Sequence, residues 1–161
     1  MATPTSLPAA VSTGDIGTAA QFNGLRGAFR ILQVVESTLL NQVGSASATY
    51  IDIGLSATIT PQSTSSKILV LLSQNTYADA AATGVGIQYL RGSTILSTSI
   101  QCSFGTNSGN VVNNFFTYLD SPATTSATTY KVQMSRTAGG GNAYTQINGN
   151  PSRIILFEVS A

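Results

Sequence analysis

The spacing of apolar residues constrains this chain more than any other feature. From Phe29 to the end, apolar or alternating runs of strand length follow one another, separated by clusters of Gly, Pro, Asn and Ser. Short runs at such regular intervals are typical of a β-sandwich or β-barrel. About eight runs can be distinguished, and we therefore predict an all-β, antiparallel domain of about eight strands.

Individual runs support this prediction. The most continuous apolar stretch, in residues 65–78, predicts a central strand that is buried on both faces. Residues 91–93, Arg-Gly-Ser, separate two alternating runs and supply the glycine that a tight hairpin needs. Tyr130, Val132 and Met134 alternate with polar residues, which predicts a strand with one face on the core.

The last run, residues 153–159, is apolar on both faces until Glu158. A strand of this kind at the end of a domain is expected inside a sheet or at a contact between subunits. We therefore expect the C-terminal strand to be held in place on both sides.

The composition favours close contacts between neutral surfaces. Hydrophobic residues make up 42% of the chain and charged residues only 8%, against about 25% charged in an ordinary soluble domain. Ser, Thr, Asn and Gln must then cover the exposed surface. The seven basic residues do not cluster and the net charge is +1, so we expect no nucleic-acid partner. We expect no membrane partner either, because no apolar run approaches the roughly 20 residues that span a bilayer.

The residues that carry most enzyme chemistry are absent or scattered. The chain has no His, a single Cys at position 102, and six carboxylates in no recognisable pair. Catalysis by general acid and base needs such groups in position. We predict no catalytic residue, no metal site and no cofactor. Asp120, followed by Ser-Pro, is interpreted as a turn residue, and Asp52 as an exposed strand residue that faces Lys67 or Arg153.

Residues 1–28 are expected to form an extended N-terminal arm, and residues 29–161 the sandwich domain. The arm segment has no sustained helical or strand periodicity. A helix capped by Asp15 is the alternative, but Gly24 and Gly27 would each cost it about 1 kcal/mol. A segment without its own core is ordered by what it lies against, which indicates attachment. The candidate attachment residues are Pro4, Leu7, Pro8, Val11, Ile16, Phe22 and Leu25.

Four segments in order resemble a known domain. YIDIGLSATITPQSTSSKILVLLSQ, then LRGSTIL, LDSPATTSATTYKVQMS and RIILFEV, are similar to the C-terminal domain of many tailed-phage virion proteins, particularly those of cyanophages and marine phages. The resemblance covers residues 29–161. It implies a jelly-roll-like β-sandwich, similar to the trimeric heads of the complement C1q and tumour-necrosis-factor families, on the outer surface of a phage particle. It carries over no catalytic residue.

The resemblance also implies a homotrimer. The residues expected at the trimer interface are Ile155, Phe157, Val159, Phe115 and Tyr118. Because the domain makes up nearly the whole chain, with an arm and no shaft, we expect a capsid decoration or cement protein. It would be made in the host cytoplasm, and its partner would be the major capsid protein or another virion protein.

Two alternatives remain open. The first is a short tail fibre or receptor-binding adhesin, in which loops at residues 79–84, 105–110 and 138–142 contact host surface glycans. The second is an enzyme such as a polysaccharide depolymerase, which would require a carboxylate pair. Since the sequence has no recognisable pair, the enzyme is disfavoured.

Overall fold

The computed structural model describes residues 30–105 and 110–160, which form an antiparallel β-sandwich. Eight strands have eight residues or more and two have three. In chain order the strands are β1 (Ile31–Leu39), β2 (Val43–Ser45), β3 (Ile51–Ile59), β4 (Lys67–Ala78), β5 (Gly84–Arg91), β6 (Thr94–Phe104), β7 (Asn110–Asp120), β8 (Thr128–Ala138), β9 (Ala143–Thr145) and β10 (Ser152–Val159). A single 3-10 turn, Ile147–Gly149, precedes β10.

The strand order is that of a jelly roll. We call the two sheets A and B. In sheet A, β4 has β7 on one side and β10 followed by β1 on the other, and the short strands β9 and β2 extend the second side. Sheet B has the order β3-β8-β5-β6. If only the eight long strands are numbered, the orders are 1-8-3-6 and 2-7-4-5, which is the jelly-roll arrangement. The predicted fold class is therefore confirmed.

The core lies between the sheets and is built by period-two alternation. Every second residue of β3 from Ile53 to Ile59 is buried, and Tyr130, Val132 and Met134 of β8 face the core as predicted. Strand β4 has a neighbour on each side, and the β5–β6 hairpin turns at Gly92, whose φ is 57°. That positive φ favours glycine at the turn. Strand β10 lies between β1 and β4, so the C-terminal strand is interior to its sheet.

Aromatic rings connect the sheets at the side where β7 faces β6. The ring of Tyr89 lies 5.9 Å from that of Phe116 and 6.1 Å from that of Tyr118. Both β7 rings therefore point inward from sheet A. Phe115 points outward, because successive side chains of a strand alternate between its faces.

A buried ionic cluster joins the end of β7 to sheet B. The Arg91 guanidinium donates two hydrogen bonds to Asp120, at 2.9 and 2.8 Å, and the Tyr130 hydroxyl donates a third at 2.7 Å. Burial, and then the neighbouring Asp120 carboxylate, raise the pKa of Tyr130. The interpretation of Asp120 as a turn residue was incomplete, because its carboxylate accepts side-chain hydrogen bonds between the sheets.

A second buried carboxylate, Glu158, lies on the core face of β10. Gln33 of β1 donates to one oxygen at 2.6 Å, and the backbone N–H of Gln62 donates to the other at 2.7 Å. Burial alone would raise the pKa of Glu158, but these hydrogen bonds outweigh it and hold the pKa below its ordinary value. Glu158 thus connects β1, β10 and the segment before β4.

Candidate assembly surface

The outer face of sheet A carries apolar side chains on four strands. The strand register brings Leu119 of β7, Leu69 of β4, Phe157 of β10 and Val34 of β1 into one row. Val34 and Leu119 are each 53% exposed. These residues are far apart in the sequence, and only the sheet register makes them neighbours. We call the following set the apolar face: Ile31, Val34, Leu69, Leu71, Phe115, Leu119, Ile155, Phe157 and Val159.

A groove of about 540 Å³ lies on this face where β4, β7 and β10 meet. Leu71, Phe115 and Ile155 line it, together with Pro151 and Arg153. Phe115 is 78% exposed, the highest fraction among the large apolar residues that the structure describes. The groove therefore lies within the apolar face.

Charged residues occur in three rows of this face: Lys67 of β4 lies opposite Val159, Glu36 of β1 opposite Ile155, and Arg153 of β10 opposite Ser73. Arg153 of β10 forms an ion pair with Glu36 of β1, with an N–O distance of 2.8 Å, and also donates to Thr38 at 3.3 Å. Both charged side chains are about half exposed. An exposed pair of this kind contributes little to stability, but it marks a polar boundary of the apolar face.

The outer face of sheet B is polar on β3 and β8, whereas Leu90 of β5 and Ile95 of β6, which is 55% exposed, form an apolar pair nearer its β6 edge. Lys131 and Gln133 of β8 donate to the two oxygens of Asp52 on β3, at 3.0 and 2.8 Å. The hydroxyls of Thr58 and Thr129 are 2.8 Å apart. The hydrogen bond from Gln133, followed by that from Lys131, lowers the pKa of Asp52. The polar side chains of this face thus bind one another across the strands.

The partner expected for Asp52 was wrong. Lys67 and Arg153 both lie in sheet A, whereas Asp52 lies in sheet B and pairs with Lys131. The cross-strand neighbour of a residue depends on strand order, which periodicity does not contain.

Four of the five residues expected at the trimer interface lie on the apolar face: Ile155, Phe157, Val159 and Phe115. Tyr118 does not, because its ring packs toward Tyr89 inside the sandwich. The grouping of Tyr118 with Phe115 was an error of parity, since residues three apart in a strand face opposite sides. Sequence reasoning missed Val34, Leu69 and Leu119, although their alternation with inward residues is visible in the sequence. The candidate attachment residues in segment 1–28 lie outside the described residues.

Described residues of the three loops suggested for the adhesin alternative lie together at one end of the sandwich. The backbone N–H of Asn142 donates to Asp79 at 2.6 Å, and that of Gly141 donates to the Thr83 hydroxyl at 3.1 Å. The backbone N–H of Gly105 donates to the Thr83 carbonyl at 3.0 Å. The bond from the backbone of Asn142, then that from its side chain, lowers the pKa of Asp79. Residues 106–109 lie outside the described part.

The described carboxylates are each engaged by different partners. These pairs are Glu36 with Arg153, Asp52 with Lys131, Asp79 with Asn142, Asp120 with Arg91, and Glu158 with Gln33. Within residues 30–105 and 110–160, no three His, Cys, Asp or Glu side chains are grouped as a metal site. Cys102 is half-buried, and burial raises the pKa of its thiol. No helix in these residues is long and apolar enough to cross a membrane.

The sequence matches no protein-family model and no curated protein. Three solved structures of infectious bursal disease virus contain a chain with a partly similar fold. They are a structure of the Gx strain (15% identity, TM-score 0.43), a VP2 subviral particle (12%, 0.45) and T=1 particles (15%, 0.42). The similar regions cover 79–81% of this chain and 36–39% of those chains. This chain therefore spans less than two fifths of the viral chains.

Proposed function

We propose that this protein is a non-enzymatic virion structural protein, a trimeric capsid decoration protein that residues 1–28 attach to the particle. The observation that carries the proposal is the apolar face of sheet A. An exposed, contiguous apolar surface bounded by polar residues is characteristic of a protein–protein contact. The resemblance of residues 29–161 to tailed-phage virion domains adds the virion setting.

Trimer formation would remove Phe157, Leu69 and Val34 from water in each copy. Each square ångström of apolar surface buried contributes about 25 cal/mol. The polar outer face of β3 and β8, whose side chains already bind one another, would remain toward solvent. Two outer faces of such different chemistry fit a subunit with one buried and one exposed side.

The position of Arg30 supports attachment through the N-terminal segment. Arg30 directly precedes β1, the edge strand of sheet A that carries Val34 of the apolar face. A 29-residue segment can extend up to about 3.3 Å per residue, so it can reach well beyond the sandwich. Three segments leaving one trimer bind with avidity, and modest individual contacts then give durable attachment.

Light scattering and particle binding test the two parts of this proposal. At micromolar concentration the protein should contain a multiple of three chains, and a stable monomer of 16.6 kDa would refute the trimer. Removing residues 1–25 should leave the oligomer intact and abolish binding to capsids that lack the protein. If binding is retained, the sandwich domain attaches the protein to the capsid and residues 1–25 do not.

The second candidate, an adhesin, is favoured by the meeting of loops 79–84 and 138–142 at one end of the sandwich. Hydrogen bonds from Asn142 to Asp79 and from Gly141 to Thr83 hold the loops together. Such a site would use side-chain amides and hydroxyls to bind sugar hydroxyls. Binding of the purified protein to a glycan array would favour this function, and loss of that binding in Asp79→Ala would locate it at the loops.

A further inference from the structure

The edge strands of the sandwich are protected unequally. The pairing of β1, β3 and β6 with their neighbours is interrupted by register shifts. In addition, β3 contains Gly54 at φ 87°, and β6 contains Gln101 at φ 58°. Irregularities of this kind protect an edge from pairing with another chain.

Strand β7 has no such protection. It pairs with β4 alone among the described strands, through eleven consecutive residue pairs without a register shift. Its sequence, NVVNNFFTYLD, has no Pro, Lys or Arg, and its single charge, Asp120, is buried against Arg91. A long, regular, uncharged edge of this kind offers free backbone N–H and C=O groups to another strand.

The pattern along β7 is self-complementary. If two copies of β7 pair antiparallel with Phe115 opposite Phe115, all eleven residues overlap. On the outer face, Val111 then lies opposite Leu119, and Asn113 opposite Thr117. Every apolar residue of that face meets an apolar residue, and every polar residue meets a polar one. Moving the centre to residue 114 or 116 would instead place Phe115 opposite Asn113 or Thr117.

We propose that the free edge of β7 binds the same edge of a second copy of this chain, antiparallel and centred on Phe115. The contact is two-fold symmetric, since the same edge is used by both copies. An eleven-residue strand is about 37 Å long and one sheet is about 10 Å thick, which gives roughly 370 Å² per partner from β7 alone. That is about half of the ~800 Å² per partner of a standard interface, so we expect a weak, reversible pairing.

This contact goes beyond the trimer, because it joins copies in pairs. It assigns Phe115 to a two-fold contact and leaves Phe157, Leu69 and Val34 for the three-fold one. With both contacts present, the particle in solution contains paired trimers. The two proposals can be tested separately. A substitution that disrupts the β7 edge should halve the mass, and one that disrupts the trimer contact on the apolar face should reduce the mass threefold.

A charge exchange tests the pairing and its register. In Asn113→Asp/Thr117→Asp, the two new carboxylates of one copy lie opposite those of its partner. Like charges directly opposite each other are destabilising, so we expect the dissociation constant of the pair to rise about tenfold. In Asn113→Asp/Thr117→Lys, opposite charges meet and pairing is retained. Both variants keep an oxygen at position 113, where Asn75 donates a hydrogen bond at 2.9 Å.

Sedimentation velocity at low salt measures the outcome. At a concentration between the two dissociation constants, the wild type and the Asp/Lys variant should contain an even number of chains, and the mass of the Asp/Asp variant should fall toward half of theirs. Equal masses for the two variants, or a wild type with an odd number of chains, would overturn the pairing.

A cysteine scan provides a second measurement. In a Cys102→Ser background, Phe115→Cys should form a disulfide-linked dimer on mild oxidation, because position 115 lies opposite itself. Thr117→Cys is the matched control, since the two copies of position 117 are separated by four residues along the strand, about 13 Å. Cross-linking of the control as fast as that of Phe115→Cys would refute the register.

Discussion

The outer faces of the two sheets differ in how their side chains are satisfied. On sheet B, Asp52 binds Lys131 and Gln133, and Thr58 binds Thr129. On sheet A, Phe157 and Leu69 lie side by side with exposed Val34 and Leu119. On β3 and β8 of sheet B the polar side chains bind one another within one copy, whereas sheet A leaves apolar side chains exposed across four strands. The difference shows that the two outer faces of one jelly roll can have different chemistry.

The largest effect is expected from a charge in the middle of the apolar face. Phe157→Lys places an ammonium group in the proposed trimer contact, where it would be buried without a partner, at a high cost. We expect the mass measured by light scattering to fall threefold. Thr129→Lys, the matched control on the central strand β8 of sheet B, should leave the mass unchanged. If both variants keep the wild-type mass, the two faces do not differ in function.

The next largest effect is a loss of stability, which should be larger when a buried carboxylate is removed than when an exposed one is removed. Asp120→Ala leaves Arg91 and Tyr130 without their buried partner and should lower the free energy of unfolding by about 3 kcal/mol. Asp52→Ala removes a carboxylate that is 56% exposed and should cost less than about 1 kcal/mol. Urea denaturation measures both. Equal losses would mean that the outer polar contacts of sheet B stabilise the fold as much as the cluster between the sheets.

Acid should lower the stability of the fold in part by protonating Glu158 of sheet A. Its pKa in the folded protein is below the ordinary 4.5, so the folded state favours the charged form. The resulting stabilisation is present above about pH 4.5 and is lost as the pH falls through the folded pKa. Thermal unfolding between pH 7 and pH 3 should show this loss, and Glu158→Gln should reduce the slope. A slope unchanged in that variant would assign the acid sensitivity to other carboxylates.

The smallest effect is expected from the hydroxyl pair of sheet B. Thr58→Ala removes one partner of an exposed hydrogen bond between β3 and β8. Surface substitutions of this kind usually change stability by less than about 0.5 kcal/mol. Urea denaturation measures the change in the free energy of unfolding. A loss of more than about 0.5 kcal/mol would show that the hydroxyl pair stabilises sheet B.

Much of the fold was predictable from alternation and turn residues. The strands, the hairpin at Gly92, the central position of β4 and the inward face of β8 all follow from local pattern. The predicted burial of β4 on both faces was wrong over its first half, because Leu69 and Leu71 on its outer face are only half-buried. The burial of Asp120 and Glu158 was not predictable, because their partners Arg91, Tyr130 and Gln33 are supplied by other strands. From sequence alone a carboxylate is expected to be exposed, because its hydrogen-bond donors lie on other strands and cannot be identified.

The candidate surface was predictable only in part. Ile155, Phe157, Val159 and Phe115 were identified from apolar pattern, and Tyr118 was misplaced because strand parity was not applied to β7. The attachment residues of segment 1–28 remain a prediction.

The sequence by itself determined where the strands lie and which of their residues share a side, because a side-chain period of two is a local property of the backbone. The tertiary structure alone decided that Val34, Phe157, Leu69 and Leu119 form one row. It also decided that β7 pairs with β4 alone among the described strands, without a register shift. Both depend on hydrogen-bond register between strands distant in the chain, which no local pattern encodes.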